Sequence, residues 1–193
     1  MSRTEQDERA LRAAQDETVG GRVREVTAHE VGDVGAPEAG APEVSVVVPT
    51  HDRADLLPRL LRSILGQQGV DLELIVVDDG SSDDTPAVLA GCADPRLRVL
   101  RHPTARGVAA ARNLGTEHAR GRWVAWCDDD DVWAPDKLHL QLQALTASPG
   151  ARWCNGGSAY VDADLRLTRV RRCPVPETVA TDLLRVNAVT GGG

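Results

Sequence analysis

The chain has 193 residues, of which 41% are hydrophobic and 26% charged, and its formal net charge is −7. This size and composition are typical of one globular domain with a tail, and no apolar run approaches the roughly 18 residues that a membrane helix needs. Ten acidic residues and five arginines lie within residues 1–43, so the remaining 150 residues carry a net charge of only −2 and lack the basic stripe typical of nucleic-acid-binding proteins.

The first part of the chain, residues 1–42, is rich in Glu, Arg, Ala, Gly and Pro and holds few large apolar residues. Such a composition cannot bury enough surface to offset the entropy that is lost on ordering. We therefore predict a disordered acidic tail over residues 1–42 and a folded domain over residues 43–193. The N-terminus also lacks the basic-then-apolar order of a secretory signal, which favours a cytoplasmic location.

From residue 44 onward, short β-branched runs alternate with helical patterns. The runs are continuously apolar, which is typical of parallel strands covered on both faces, and they comprise residues 44–48, 72–77, 97–100 and 123–127. Apolar residues at helical spacing occupy residues 55–65, 85–90 and 108–120. This alternation predicts an α/β fold with a Rossmann-like, mostly parallel sheet flanked by helices. Ligands of such sheets bind outside the carboxyl ends of the strands.

The pattern weakens toward the C-terminus. A further helix is predicted over residues 135–146, and residues 153–160 have the composition of another strand. The chain ends on three glycines, Gly191 to Gly193, which pack nothing and lose much entropy on ordering. We therefore expect the domain to be truncated at its C-terminus.

The four cysteines, Cys92, Cys127, Cys154 and Cys173, are far apart in the sequence, and no two of them form a C-x-x-C pair. This spacing argues against a zinc site and against a disulfide framework. We predict four reduced, mostly buried thiols. None of the five histidines stands at metal-ligand spacing with another, so no role is assigned to them.

Three polar loops follow predicted strands: residues 49–53, residues 78–85 and the four consecutive aspartates Asp128 to Asp131. Two unit charges about 4 Å apart interact by roughly 4 kcal/mol at an effective dielectric constant near 20, so a loop that collects carboxylates favours a cation. Carboxylate oxygens suit Mg²⁺ and Mn²⁺, which also bind the oxygens of a diphosphate. The alternative is a solvated acidic turn that caps the next helix and binds nothing.

In the second loop, Gly80 permits a tight turn, and Ser82 to Asp84 suit the cap of the following helix. Asp78 and Asp79 stand at the end of the strand instead. A carboxylate there can accept hydrogen bonds from ribose hydroxyls or from a base N–H.

The segment 107–115 is rich in small residues, which lets a helix pack closely on the sheet. Arg112 and Asn113 supply hydrogen-bond donors near its middle. Direct ligand contact by these two residues is one interpretation; a salt bridge of Arg112 and a local backbone contact of Asn113 is the other.

Four segments, residues 44–53, 74–85, 107–115 and 121–138, resemble in order and spacing the nucleotide-binding half of family-two glycosyltransferases. The resemblance covers about residues 44–145. It implies a glycosyltransferase A fold with a donor half over residues 44–146 and the start of an acceptor half over residues 147–193. It also implies an inverting transfer of a sugar from a nucleoside diphosphate sugar, with UDP-sugar as the expected donor, to an acceptor hydroxyl, dependent on Mn²⁺ or Mg²⁺.

By the same resemblance, Asp128, Asp129 and Asp130 match the Asp-x-Asp motif. Asp130 is the implied direct metal ligand, and Asp128 or Asp129 is implied to bind the metal, directly or through water, or to contact the ribose. We therefore predict Asp128 and Asp130 as metal ligands and Asp128 and Asp129 as nucleotide contacts. The remaining implied nucleotide contacts are Pro49, Thr50, Asp52, Asp78, Asp79 and Arg112. Asp52 stands where the family has Asn, and this extra negative charge predicts a pronounced dependence on the cation.

The general base that deprotonates the acceptor hydroxyl is not identifiable. The late carboxylates are Asp162, Asp164, Glu177 and Asp182, and none stands in the acidic motif that the resemblance implies. The alternative is therefore a truncated or non-catalytic nucleotide-binding fragment. A different metal-dependent enzyme of phosphates is a third interpretation, disfavoured because the chain has no P-loop with its lysine. Membrane association is expected only through a region beyond residue 193.

Overall fold

The computed structural model describes residues 40–162, 164 and 166–173. The tail predicted over residues 1–42 lies outside the described residues, except for its last three positions. Residues 174–193, which include Glu177, Asp182 and the terminal glycines, lie outside them as well.

A four-stranded parallel sheet forms the centre of the fold. Its strands are β1 (Val44–Thr50), β2 (Leu72–Asp78), β3 (Leu97–Arg101) and β4 (Trp123–Trp126), in the order β3-β2-β1-β4. The helices are α1 (Leu57–Leu65), α2 (Thr85–Ala90), α3 (Val108–Glu117) and α4 (Lys137–Ala147). The predicted α/β fold, with a mostly parallel sheet flanked by helices, is confirmed.

The central strands β1 and β2 are buried along their whole length, whereas the edge strands β3 and β4 are only partly buried. Val99 on β3 is 46% exposed, and Trp126 on β4 is 42% exposed. The prediction that all four strands are covered on both faces is therefore correct for the central pair and wrong for the edge pair. An apolar run alone does not distinguish the two positions, because β-branched residues also suit a half-covered strand.

Successive residues of β1 enter two different apolar layers, since side chains alternate between the faces of a strand. Val46 and Val48 belong to the cluster that includes residues of α1, α2 and α4, while Val47 packs with residues of α3. A Cβ atom on Gly115 of α3 would lie 2.4 Å from Val47 Cγ1. The glycine thus lets α3 lie close against the sheet.

A separate antiparallel hairpin follows, formed by β5 (Ser158–Val161) and β6 (Leu167–Arg171). The strand predicted over residues 153–160 is wrong for residues 153–157, which have no regular structure. Gly156 and Gly157 interrupt that stretch and weaken its tendency to form a strand. Within the described ranges, no helix is both long and apolar enough to cross a membrane.

Candidate functional site

The site lies where the order of strands reverses. From β1 the chain adds β2 and β3 on one side of the sheet, and β4 then pairs with β1 on the other side. Such a reversal leaves a crevice at the carboxyl ends of the strands. A cavity of about 520 Å³ opens there, lined by all three predicted polar loops and by α3: Pro49, Thr50, His51, Arg53, Asp79, Val108, Arg112, Asp128, Asp129 and Asp130.

Seven of the nine residues predicted for the site line this cavity, and the two that do not are Asp52 and Asp78. The aspartate loop begins at a fixed point, because Cys127 is fully buried and its backbone N–H donates to the carbonyl of Val47 at 3.1 Å. The loop is therefore positioned by the central strand of the sheet.

Asp129 connects the aspartate loop to the loop after β1. The Thr50 hydroxyl donates to Asp129 Oδ2 at 2.9 Å, and Arg53 Nε lies 3.8 Å from Asp129 Oδ1. Burial raises the pKa of the Asp129 carboxyl above its ordinary value, even though the Thr50 hydrogen bond and the Arg53 charge act in the opposite direction. Both carboxylate oxygens of Asp129 thus contact other residues of the protein.

Asp128 forms an ion pair with Arg112 of α3. Arg112 also lines the cavity, and its Nε is buried without a hydrogen-bond partner in the described part of the chain. The salt bridge expected of Arg112 is thus present, and direct contact with a ligand stays a prediction. Asn113 is exposed and does not line the cavity.

Asp130 differs from its neighbours because its carboxylate is exposed and makes no hydrogen bond or ion pair with any described residue. The negative charge of Asp130 nevertheless affects the pKa of the neighbouring Asp131. Burial, followed by the charges of Asp128 and Asp130, raises the pKa of Asp131 to about 6. The loop therefore carries negative charge that the surrounding residues leave uncompensated.

Asp52, predicted as a nucleotide contact, faces the second loop instead of the cavity. Its Oδ1 accepts the backbone N–H groups of Ser82 at 2.7 Å and Asp83 at 3.2 Å, and these bonds lower the pKa of its carboxyl. The residue has a positive φ of 52°, a conformation that Asp tolerates better than most residues. Asp83 in turn accepts the N–H of Thr85 at the start of α2 at 2.9 Å, as predicted for the cap, whereas Asp84 at the N-cap position makes no side-chain cap hydrogen bond.

Asp78 and Asp79 are adjacent, but only Asp79 lines the cavity. Asp78 is 1% exposed, and its carboxylate is 2.8 Å from Arg101 Nη1 and accepts the N–H of Ser81. Its predicted role as a nucleotide contact does not fit this inward position. The difference arises because successive side chains of a strand point in opposite directions.

Both oxygens of Asp79 are occupied by the protein. They accept the backbone N–H groups of Arg106 and Gly107, and His102 Nδ1 lies 2.6 Å from Oδ1. Burial acts to raise the pKa of this carboxyl, but the hydrogen bonds from Arg106, His102 and Gly107 outweigh it and lower the pKa. Asp79 thus fixes the turn that begins α3.

The sequence prediction omitted His51, Arg53 and Val108, which also line the cavity. His51 Nδ1 lies 2.9 Å from the backbone carbonyl of Asp79, so the ring is held between the first and second loops. A usable signal was present, since His51 and Arg53 directly follow a strand that ends at the ligand-binding edge. The histidine itself gives no signal, because none of the five histidines has a partner at metal-ligand spacing.

The donor set at this edge fits a hard divalent cation. Mg²⁺ and Mn²⁺ sites commonly use one or two carboxylates and complete their coordination with water and substrate phosphate oxygens. Asp130 offers an unpaired carboxylate beside Asp128, and in residues 40–173, apart from 163 and 165, no three His, Cys, Asp or Glu side chains converge on one point. Asp128 and Asp130 could therefore supply two of the ligands of such a cation, and the rest would have to come from water or a bound ligand.

Comparison with known proteins agrees with this geometry. A region of residues 45–171 matches the profile of "Glycosyl transferase family 2". The chain is 36% identical over 152 residues to succinoglycan biosynthesis protein ExoO of Rhizobium meliloti, covering 74% of this chain and 43% of that protein. It is 34% identical over 102 residues to the Escherichia coli UDP-Glc:alpha-D-GlcNAc-diphosphoundecaprenol beta-1,3-glucosyltransferase WfgD, covering 53% and 40%. The chain thus spans less than half the length of these relatives.

Two solved structures share the fold. The mannosyltransferase PcManGT from Pyrobaculum calidifontis, in complex with GDP-Man and Mn²⁺, has a TM-score of 0.54 and 33% identity, covering 66% of this chain and 38% of that one. S. aureus TarS in complex with UDP-GlcNAc has a TM-score of 0.52 and 28% identity, covering 54% and 31%. The match of the family profile to about two thirds of the chain shows that this protein belongs to glycosyl transferase family 2.

Proposed function

We propose that the cavity binds a nucleoside diphosphate sugar together with a divalent cation, and that the protein transfers the sugar to an acceptor hydroxyl with inversion at the anomeric carbon. The observation that carries this proposal is the unpaired carboxylate of Asp130 beside Asp128 at the rim of a 520 Å³ cavity. Nucleotide-sugar complexes of related structures support the donor class.

Asp128 and Asp130 would hold Mn²⁺ or Mg²⁺. Such a cation stabilises the negative charge that develops on the diphosphate as the sugar leaves. Arg112 forms an ion pair with Asp128, so its guanidinium would also lie near the negative charge of the diphosphate. These carboxylates act by electrostatics and need not exchange protons.

Positive side chains at the rim suit the diphosphate. Arg53 and Arg112 both line the cavity, and arginine binds phosphate oxygens through a planar set of donors. The hydrogen bond from the Thr50 hydroxyl to Asp129 connects the two loops that carry these side chains. Pro49, Thr50 and His51 supply the wall on the side of β1, where the nucleoside would lie.

No described carboxylate outside these loops lines the cavity, and Asp162 and Asp164 are used in local hydrogen bonds within the turn that joins β5 and β6. This observation favours a second candidate function for the 193-residue chain, donor binding without transfer. The two candidates share the nucleotide site and differ only in the acceptor chemistry.

Calorimetric titration of the chain with UDP, GDP and TDP tests the shared site. We expect binding in Mn²⁺ that is at least about tenfold weaker in excess EDTA, and weakened similarly by Asp130→Ala, a change of about 1.4 kcal/mol. Asp71→Asn is the matched control, because Asp71 is exposed at the opposite end of β2. Equal affinity in Mn²⁺ and EDTA would show that the aspartate loop does not hold a cation.

Turnover separates the two candidates. Incubation with UDP-glucose, UDP-GlcNAc and GDP-mannose in Mn²⁺, followed by measurement of released nucleotide and free sugar, reports donor hydrolysis. Nucleotide binding without release supports donor binding alone. Release that disappears in Asp130→Ala but persists in Asp71→Asn supports the transferase.

A further inference from the structure

Two cysteines that are distant in sequence meet beside Asn155. The thiol of Cys173 donates to the Asn155 carbonyl oxygen at 3.3 Å, and the thiol of Cys154 lies 4.0 Å from the same oxygen. Asn155 Nδ2 in turn lies 3.9 Å from the sulfur of Cys173. Because the distances of 3.3 and 4.0 Å share one oxygen atom, the two sulfur atoms lie at most 7.3 Å apart.

The β5–β6 hairpin produces this proximity. Ser158 pairs with Arg171, so the segment before β5 runs beside the segment after β6. Gly157 allows the two segments to lie close together. A Cβ atom at this position would lie 2.8 Å from the carbonyl oxygen of Arg171 and 3.5 Å from the backbone nitrogen of Cys173. Extending this pairing places Cys173 opposite Gly156, two residues from Cys154. A disulfide therefore requires these neighbouring segments to bring the two Cα atoms within about 4.4–6.8 Å of each other.

The two thiols are free and differ in access. Cys173 is exposed, Cys154 is half-buried, and both line a second cavity of about 740 Å³ beside the exposed ring of Trp153. Burial, followed by the nearby charge of Cys173, raises the pKa of Cys154. The other two cysteines are placed differently, because Cys127 is fully buried and Cys92 packs against the main apolar cluster.

We infer that Cys154 and Cys173 form a redox-active thiol pair that closes to an intrachain disulfide on reaction with a low-molecular-weight disulfide. The exposed Cys173 loses its proton and attacks the reagent, which gives a mixed disulfide and releases one thiol. The sulfur of Cys154 then attacks the sulfur of Cys173 and releases the second thiol. Two cysteine thiols are oxidised, one reagent disulfide is reduced to two thiols, and no other reactant is needed.

The bond would tie together the two segments that line the second cavity. It would close the loop that contains β5 and β6, and a covalent loop restricts the open states of such a hairpin. The pair lies outside the nucleotide cavity, so it is independent of the proposed function. All four cysteines are free in the structure, as predicted from the sequence, but only Cys127 is buried, so the prediction that they are mostly buried is wrong.

The test treats the full chain with oxidised glutathione, then quenches and counts thiols after denaturation. We expect the count to fall from four to two per chain. Non-reduced tryptic digestion should join the peptide of residues 153–166 to that of residues 173–185. Cys92→Ser, the matched control, should retain this link, while Cys154→Ser should stop at a glutathione adduct on Cys173.

Three outcomes would overturn the inference. They are a stable glutathione adduct on Cys173 in the unsubstituted chain, a link that joins two different chains, and loss of Cys92 or Cys127 thiols at the same rate as Cys154. Mapping on the unsubstituted chain decides the matter even where the Cys154→Ser variant fails to fold. Nucleotide binding measured on the reduced chain tests the proposed function separately.

Discussion

Carboxylates at the two ends of the sheet have opposite surroundings. At the amino end of β2, Glu73 is 3% exposed and accepts hydrogen bonds from Ser45 Oγ at 2.7 Å, Arg98 Nη1 at 2.9 Å and Arg120 N at 2.8 Å. At the carboxyl end, Asp130 makes no such contact with a described residue. A buried charge must be paired to be stable, whereas an unpaired charge at a cavity favours a ligand. The two surroundings therefore distinguish the structural role of Glu73 from the ligand-binding role that we propose for Asp130.

The largest expected effect comes from removing the structural carboxylate. Glu73→Ala leaves the Ser45 hydroxyl without its acceptor and removes one of the two acceptors of the Arg120 amide, which also donates to Ser45 Oγ. We expect a loss of about 2–4 kcal/mol in the free energy of unfolding. Urea unfolding followed by circular dichroism measures it. Asp71→Asn, an exposed change at the same end of the sheet, should stay within about 0.5 kcal/mol of the unsubstituted chain. Equal stability of the two variants would contradict the structural role of Glu73.

Asp130→Ala should give the converse result. Removing one of several like charges relieves repulsion, so the free energy of unfolding should stay the same or rise slightly, while nucleotide affinity in Mn²⁺ falls at least about tenfold. Unfolding and calorimetric titration on the same preparation measure both quantities. A variant that loses stability and keeps its affinity would assign Asp130 to the fold instead.

The two ends should also respond to pH with opposite sign. Burial alone would raise the pKa of Glu73, but hydrogen bonds from Arg120, Ser45 and Arg98 lower it to about 2 from an ordinary value of 4.5. Its stabilising contribution is therefore complete above about pH 4.5 and is lost as the pH falls toward 2. Asp131 has a pKa raised from 3.8 to about 6, so its contribution is complete below pH 3.8 and is lost as the pH rises through 6.

Urea unfolding across pH 2 to 7 separates these two slopes. Glu73→Gln should reduce the rise of stability with pH below about 4.5, of which a part remains because the pKa values of Asp52 and Asp79 are also lowered. Asp131→Asn should reduce the fall between about 4 and 6, of which a part remains because the pKa of Asp129 is also raised. If Asp131→Asn leaves the upper slope unchanged, the charge of the aspartate loop does not act on Asp131 as described.

The smallest effect is expected at Asp52. Its carboxylate caps backbone N–H groups of the second loop, and the Asn side chain offers a similar acceptor oxygen. Asp52→Asn should therefore change nucleotide affinity in Mn²⁺ by less than about twofold. A marked fall in the Mn²⁺ requirement would instead restore the sequence prediction that Asp52 adds charge beside the diphosphate.

Much of the fold could be predicted from the sequence, because the central strands are continuously apolar and the segments between them carry apolar residues at helical spacing. The aspartate loop was accessible because four carboxylates after a strand have few structural uses. The distinction between Asp78 and Asp79 was not, since it depends on which face of β2 each side chain joins. The position of His51 and the approach of Cys154 and Cys173 to Asn155 could not be predicted, because their neighbours come from other segments of the chain and such contacts leave no local pattern.

The hydrogen bond from Thr50 to Asp129 has a consequence for how the site responds as a whole. It fastens the segment that leaves the central strand to the segment that leaves its edge neighbour, so the two cannot shift independently without breaking it. A ligand that binds between the two segments therefore contacts a surface whose two sides are linked by this hydrogen bond. Affinity changes caused by altering Thr50 would accordingly report on both segments at once, and would fail to add to those caused by altering Asp129.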